Sequence, residues 1–213
     1  MFVLFVMIVF LIFMPKKKIM MEKKIKFAEN VILIDASYIN KVGTDLKEHF
    51  EPVVQRSLPK ADMALLLECM AMDAGIEGND NEIQVIFIHE AGLKAMTFCS
   101  PAHFADELHD KAFRGVVGEF SLYSFQTSEM APREELFKES VQLLCESKDV
   151  KKMILVPNEF SADLDICSII SKEKIAATTV FGMNPPCTNS NIRFEMIGFA
   201  LLQAYGIKAE ELQ

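Results

Sequence analysis

Val31-Ile32-Leu33-Ile34-Asp35-Ala36-Ser37 is the stretch that decides the fold. Its unbroken apolar run is what a strand covered on both faces requires, as in the parallel sheets of α/β proteins. The run closes on an acid. In an open parallel sheet, ligands bind in the crevice beyond the carboxyl ends of the strands, so Asp35 stands where a functional carboxylate is sought.

Downstream, short β-branched runs alternate with longer amphipathic ones, the pattern of βα units covering a mostly parallel sheet. Strands are expected over Glu82–His89, Met153–Val156 and Ala177–Phe181. Ala95–Cys99, turned back at Gly92, reads as a hairpin partner, and Gly118–Gln126 alternates Phe120, Leu122 and Phe125 with polar neighbours as an antiparallel strand. Asp45–Phe50 reads as a short helix. Ser57-Leu58-Pro59 opens a longer one with Leu66, Leu67, Met70 and Ala74 at core spacing and Gly75 as its stop. Ser100-Pro101 starts a helix carrying Phe104, Leu108 and Phe113, and Ala131-Pro132 starts one running to Glu146. Asp163–Ser171 is helical, and Arg193–Tyr205 closes the chain as a helix stopped by Gly206. The expectation is a three-layer α/β/α fold with a central, mostly parallel sheet and an antiparallel addition from residues 82–126, in one domain over residues 21–213.

The chain has 213 residues, 51% of them apolar, which suits one substantial core. Its formal charge of −8, from 30 acids against 22 Lys and Arg, argues against general adhesion to nucleic acid, which needs clustered cations. The five cysteines, Cys69, Cys99, Cys145, Cys167 and Cys187, are scattered and never spaced C-x-x-C. They read as reduced thiols of a cytosolic protein.

Residues 1–14 are unbroken hydrocarbon, followed by Pro15 and Lys16-Lys17-Lys18. This is shorter than the roughly 20 residues that span a bilayer and lacks the charged start and cleavage site of a secretory signal. Two readings of residues 1–20 stand, a start codon placed too far upstream or a short anchor. The first gives a cytoplasmic protein beginning at Met20 or Met21. The second gives inner-membrane anchoring through residues 1–14 with the domain facing the cytoplasm.

The phosphate loop, the G-x-G-x-x-G turn, H-E-x-x-H and Gly-x-Ser-x-Gly are all absent from the sequence. His49, His89, His103 and His109 share no metal-ligand spacing, although His89 ends a strand and falls on the edge of Asp35. Polar residues expected on that edge are Asp35 and Ser37, Asn158 and Glu159, and Asn184, with Asp163 approaching from a helix. Several oxygen-bearing side chains in one crevice suit magnesium or manganese. Helix caps and turns use the same residue types, which gives the structural alternative.

Val31-Ile32-Leu33-Ile34-Asp35-Ala36-Ser37-Tyr38 resembles the opening strand of PIN-like nucleases and their NYN relatives. Met153-Ile154-Leu155-Val156 followed by Ala162-Asp163-Leu164-Asp165-Ile166 is similar to the NYN strand and its aspartate-bearing turn, and Thr179-Val180-Phe181-Gly182 resembles the next strand. The resemblance implies a Mg²⁺- or Mn²⁺-dependent ribonuclease acting on RNA. Asp35 would be the principal metal ligand, Asp163 and Glu159 would complete the cluster, and metal-bound water would attack the phosphodiester. Glu68 or Asp73 would supply the family's helix carboxylate. Pro157-Asn158-Glu159-Phe160-Ser161 intrudes before the aspartates, and the family's glycines are absent. The chain also looks like a member of an uncharacterised bacterial family. Asp35-Ala36-Ser37-Tyr38-Ile39 fits less well the Asp-x-Ser-x-Ser of von Willebrand A-type ion sites, and Ser37 replaces the second aspartate of haloacid-dehalogenase-type phosphatases.

Two functional expectations follow: a metal-dependent ribonuclease, or a non-catalytic interaction or scaffold protein on the same fold, which the acidic balance favours. The apolar circumference of the last helix, carrying Phe194, Ile197, Phe199, Ala200, Leu201 and Leu202, leaves two expectations, a homodimer or full burial of the helix within the monomer.

Overall fold

Every residue of Asn30–Asp35 is buried, and this strand lies at the centre of a sheet that has seven strands among the described residues. The computed structural model describes residues 26–127, 132–159, 165–170, 174–185 and 192–212. Its strands are β1 (Asn30–Asp35), β2 (Ala61–Asp62), β3 (Asn81–His89), β4 (Cys99–Ser100), β5 (Lys111–Arg114), β6 (Gly118–Gln126), β7 (Lys152–Val156), β8 (Thr178–Gly182) and β9 (Arg193–Met196). The α-helices are α1 (Ala36–Val53), α2 (Met63–Asp73), α3 (Arg133–Glu146), α4 (Ile166–Ile169) and α5 (Ile197–Ala204). The large sheet runs β5-β6-β3-β1-β7-β8-β9, with β5–β6 its antiparallel pair and every other pair parallel.

Strand side chains alternate between faces, and β1 feeds two cores. Ile32 and Ile34 join Phe87, Phe120, Ile154 and Phe181 beneath α1, α2 and α5. Val31 and Leu33 join Ile86, Ile88, Leu155 and Val180 beneath α3. This is the expected three-layer α/β/α arrangement around a mostly parallel sheet.

Several local expectations are corrected. β6 pairs parallel with β3 over nine residues, from Asn81↔Gly118 to His89↔Gln126. Its alternation reports an open face, since Glu119, Ser121 and Tyr123 are exposed or half-buried, and open faces alternate whatever the strand direction. Ala95 makes one isolated antiparallel bridge with His103, and Cys99–Ser100 pairs with β2 instead of β3. Pro101 opens no α-helix. Phe104–Leu108 is a single π-helical turn, and Phe113 lies in β5. α1 begins directly after β1, nine residues before the expected short helix, because Asp35 caps it with an extended backbone. Arg193–Met196 is a strand, with α5 starting only at Ile197.

α2 starts at Met63 under an Asp62 cap instead of at Ser57, because Ala61–Asp62 is taken up by β2, and within the expected helix Asp163–Ser171 the described residues are helical only over Ile166–Ile169. Elsewhere the expected core faces are found. α2 buries Leu66, Leu67 and Met70, and Gly75 follows it at φ +77°. α3 buries Phe137, Val141 and Leu144. In α5, Ile197, Ala200 and Leu201 are buried while Phe199 is 64% exposed. Cys69, Cys99 and Cys145 are free thiols, but Cys167 is disulfide-bonded, contrary to the reduced-thiol reading. Among the described residues no helix is long and apolar enough to cross a membrane, and residues 1–14 lie outside them.

Candidate functional site

From β1 the chain moves outward to β3 and β6 on one side, then returns through α3 to β7 on the other. Strand order therefore reverses between β1 and β7. The helices that follow them leave on opposite faces, α1 over one core and α4 beside the other. In open sheets of this kind a reversal of strand order with diverging connections marks the usual binding place, the crevice outside the carboxyl ends of the strands. Register sets its floor: Asp35 lies level with Ile88, and Ile34 with Val156. Asp35, Ser37, Asn158, Glu159 and Asn184 all come to this edge, whereas Asp163 lies outside the described residues.

One half of the edge is ionic. Asp35 is fully buried; its Oδ1 accepts the Tyr38 N–H at 2.9 Å and its Oδ2 accepts Arg133 Nε at 2.7 Å. Burial pushes the Asp35 carboxyl above its ordinary pKa, against the pull of Arg133 and the Tyr38 N–H. The same guanidinium pairs with Glu90 and, at 3.5 Å, with Glu134, whose Oε1 also accepts from Asn158 Nδ2 at 3.5 Å. Arg133 is thus shared among three acids. Sequence reasoning missed it, yet a signal existed: a cation in the first turn of a helix opposes the macrodipole and needs counter-charge from elsewhere in the fold. Ser37, in the first turn of α1, keeps a buried Oγ with no hydrogen-bond partner among the described residues.

The other half is built from neutral donors. Glu159 Oε2 accepts the backbone N–H groups of Met183 at 2.9 Å and Asn184 at 3.0 Å, and Oε1 accepts Asn184 Nδ2 at 3.1 Å. Gly182 permits this approach, since a Cβ there would lie 2.9 Å from Oε2. Tyr38 joins the halves. Its backbone serves Asp35, and its hydroxyl accepts the Met183 N–H at 3.2 Å and donates to Glu159. Desolvation, then the Glu159 charge, raises the phenol's pKa above its ordinary value.

His89 ends β3 beside Glu90. Its ring stacks on Phe104 at 4.0 Å and 3°, and burial lowers its pKa to about 4. Glu68 and Asp73 do not reach the crevice. Glu68 accepts the Val116 N–H in the β5–β6 turn, and Asp73 ends α2 near Arg193, both towards the strands' amino-terminal edge. Among the described residues no group of three or more His, Cys, Asp and Glu is placed to hold a metal. Both oxygens of Asp35 and of Glu159 already accept hydrogens from protein groups.

No curated protein and no solved structure matches the chain. One family model does, over residues 24–212, a span that contains every described residue. The chain belongs to DUF6621, a family of unknown function.

Proposed function

We propose that this protein is a non-catalytic interaction or scaffold protein that uses a PIN/NYN-like α/β/α fold. The observation that carries this reading is Arg133 Nε on Asp35 Oδ2 at 2.7 Å, with the Arg133 side chain only 11% exposed. A nuclease of the kind Asp35 resembles needs that carboxylate directed at a cation it can exchange with solvent. Here a covalently tethered cation neutralises it, and the buried pair is costly to break from either side. Glu159, fastened to backbone N–H groups, supports the same view.

The test is titration of the full chain with Mn²⁺ and Mg²⁺ by calorimetry, with melting temperature followed in parallel. The expected result is neither binding heat nor a melting shift at millimolar metal. Saturable binding that raises the melting temperature and disappears in Asp35→Asn would overturn the proposal in favour of a Mg²⁺- or Mn²⁺-dependent ribonuclease using Asp35, Asp163 and Glu159.

A further inference from the structure

Each outer strand of the large sheet has a neighbour on one side only among the described residues, β5 beside β6 and β9 beside β8. An outer strand offers a row of backbone N–H and C=O groups to any second strand, and natural sheets discourage this with charge. The two edges differ in how charge is arranged. β5 reads Lys111-Ala112-Phe113-Arg114, and a two-fold antiparallel register through Phe113 sets Arg114 opposite the copy's Ala112, so that neither cation of the strand meets an acid. β9 reads Arg193-Phe194-Glu195-Met196. With Phe194 opposite the copy's Phe194, Arg193 meets the copy's Glu195, and Glu195 meets the copy's Arg193.

β9 is therefore complementary to itself in charge. Arg193 and Glu195 lie on the same face of the strand, already in contact at 2.8 Å, so both can serve a cross-strand partner on that face. Phe194 is half-buried at the centre of the register. Met196 and Phe199, one turn apart where β9 passes into α5, are exposed to 43% and 64%. Two large apolar side chains beside an open sheet edge are what a protein association surface carries. We propose that β9 is the interface of a two-fold symmetric homodimer, with β9 of each copy paired antiparallel so that the sheet continues through both subunits. The axis stands perpendicular to the sheet at Phe194, which places α5 of both copies on the same face. A two-fold contact is isologous, and a strand with opposite charges two residues apart satisfies that condition by itself. No residue is shared with the carboxylate crevice, so this proposal stands or falls apart from the functional reading.

Sedimentation velocity of the full chain across a concentration series tests it. The wild type is expected to dimerise, and Glu195→Arg and Arg193→Glu should each weaken the dimer by roughly tenfold or more in dissociation constant, since two attractive pairs become repulsive. An equimolar mixture of the two single variants should re-form a heterodimer, and the double swap Arg193→Glu with Glu195→Arg should restore the homodimer. The Glu195→Arg variant keeps the Arg193 bond to the Asp73 carbonyl, which guards against loss of fold. A wild type that stays monomeric, or an association indifferent to the swaps, would overturn the proposal. So would failure of the mixture to recover dimer.

Discussion

Asp35 and Glu159 are carboxylates at the ends of neighbouring strands, yet the fold treats them in opposite ways. Asp35 is sealed under a guanidinium that also holds Glu90 and Glu134, while Glu159 is held by two backbone N–H groups, an amide and a phenol. An ion pair in a buried place depends on both members, because loss of one leaves an uncompensated charge. A carboxylate cradled by neutral donors loses only hydrogen bonds when altered. The edge beside β3 should therefore be the fragile half and the edge beside β8 the tolerant one.

The largest expected effect is at Arg133. Arg133→Met should destabilise the protein by about 3–5 kcal/mol, because Asp35 remains buried with no cation. In an Asp35→Asn background the same change should cost far less, about 1 kcal/mol, since no charge is stranded. Urea denaturation of the four proteins measures the coupling. Simple additivity would mean that Arg133 acts through packing and that the two halves do not differ as described.

His89 sharpens the comparison through pH. Its folded pKa of about 4 lies below the ordinary 6.5, so the unfolded chain binds more protons between those values. The contribution is complete above pH 6.5 and is lost as pH falls towards 4, amounting to about 2 kcal/mol after allowance for solvent relaxation. Asp35, raised above its ordinary 3.8, works in the other sense: what it contributes is present below that value and is lost as pH rises through the folded pKa. Denaturation midpoints from pH 4 to 7 should show the acid-side loss in the wild type and its flattening in His89→Phe. An unchanged slope would move the acid sensitivity to another group.

Residues whose burial is complete were the ones legible in sequence. Val31–Ile34 could be read as a doubly covered strand because no polar residue interrupts them, and Asp35 followed as its end. Phe137, Val141 and Leu144 were readable by helical spacing. The β3–β6 direction was not, because alternation records which face is wet and carries nothing about polarity of the strand. Arg133 escaped for a different reason: its place in the first turn of a helix signals a need for counter-charge, but its partners Asp35 and Glu90 lie 98 and 43 residues away, and only the sheet order decides which acids they are. Glu159 was legible as an edge residue, but its cradle depends on Gly182 and on the main chain of Met183 and Asn184.

The smallest expected effect is at that cradle. Glu159→Gln keeps one carbonyl oxygen for the Met183 and Asn184 N–H groups but turns an NH₂ towards donors that need an acceptor, so it should cost about 1 kcal/mol. Gly182→Ala should cost a similar amount by a different route, its Cβ arriving 2.9 Å from Oε2 and displacing the carboxylate. Because both changes undo the same contact, the double variant should cost clearly less than the two single costs added together. Thermal unfolding of the three variants reads this directly. Full additivity would show that Gly182 serves the backbone rather than Glu159, and a loss at Glu159 as large as that at Arg133 would remove the difference between the two halves.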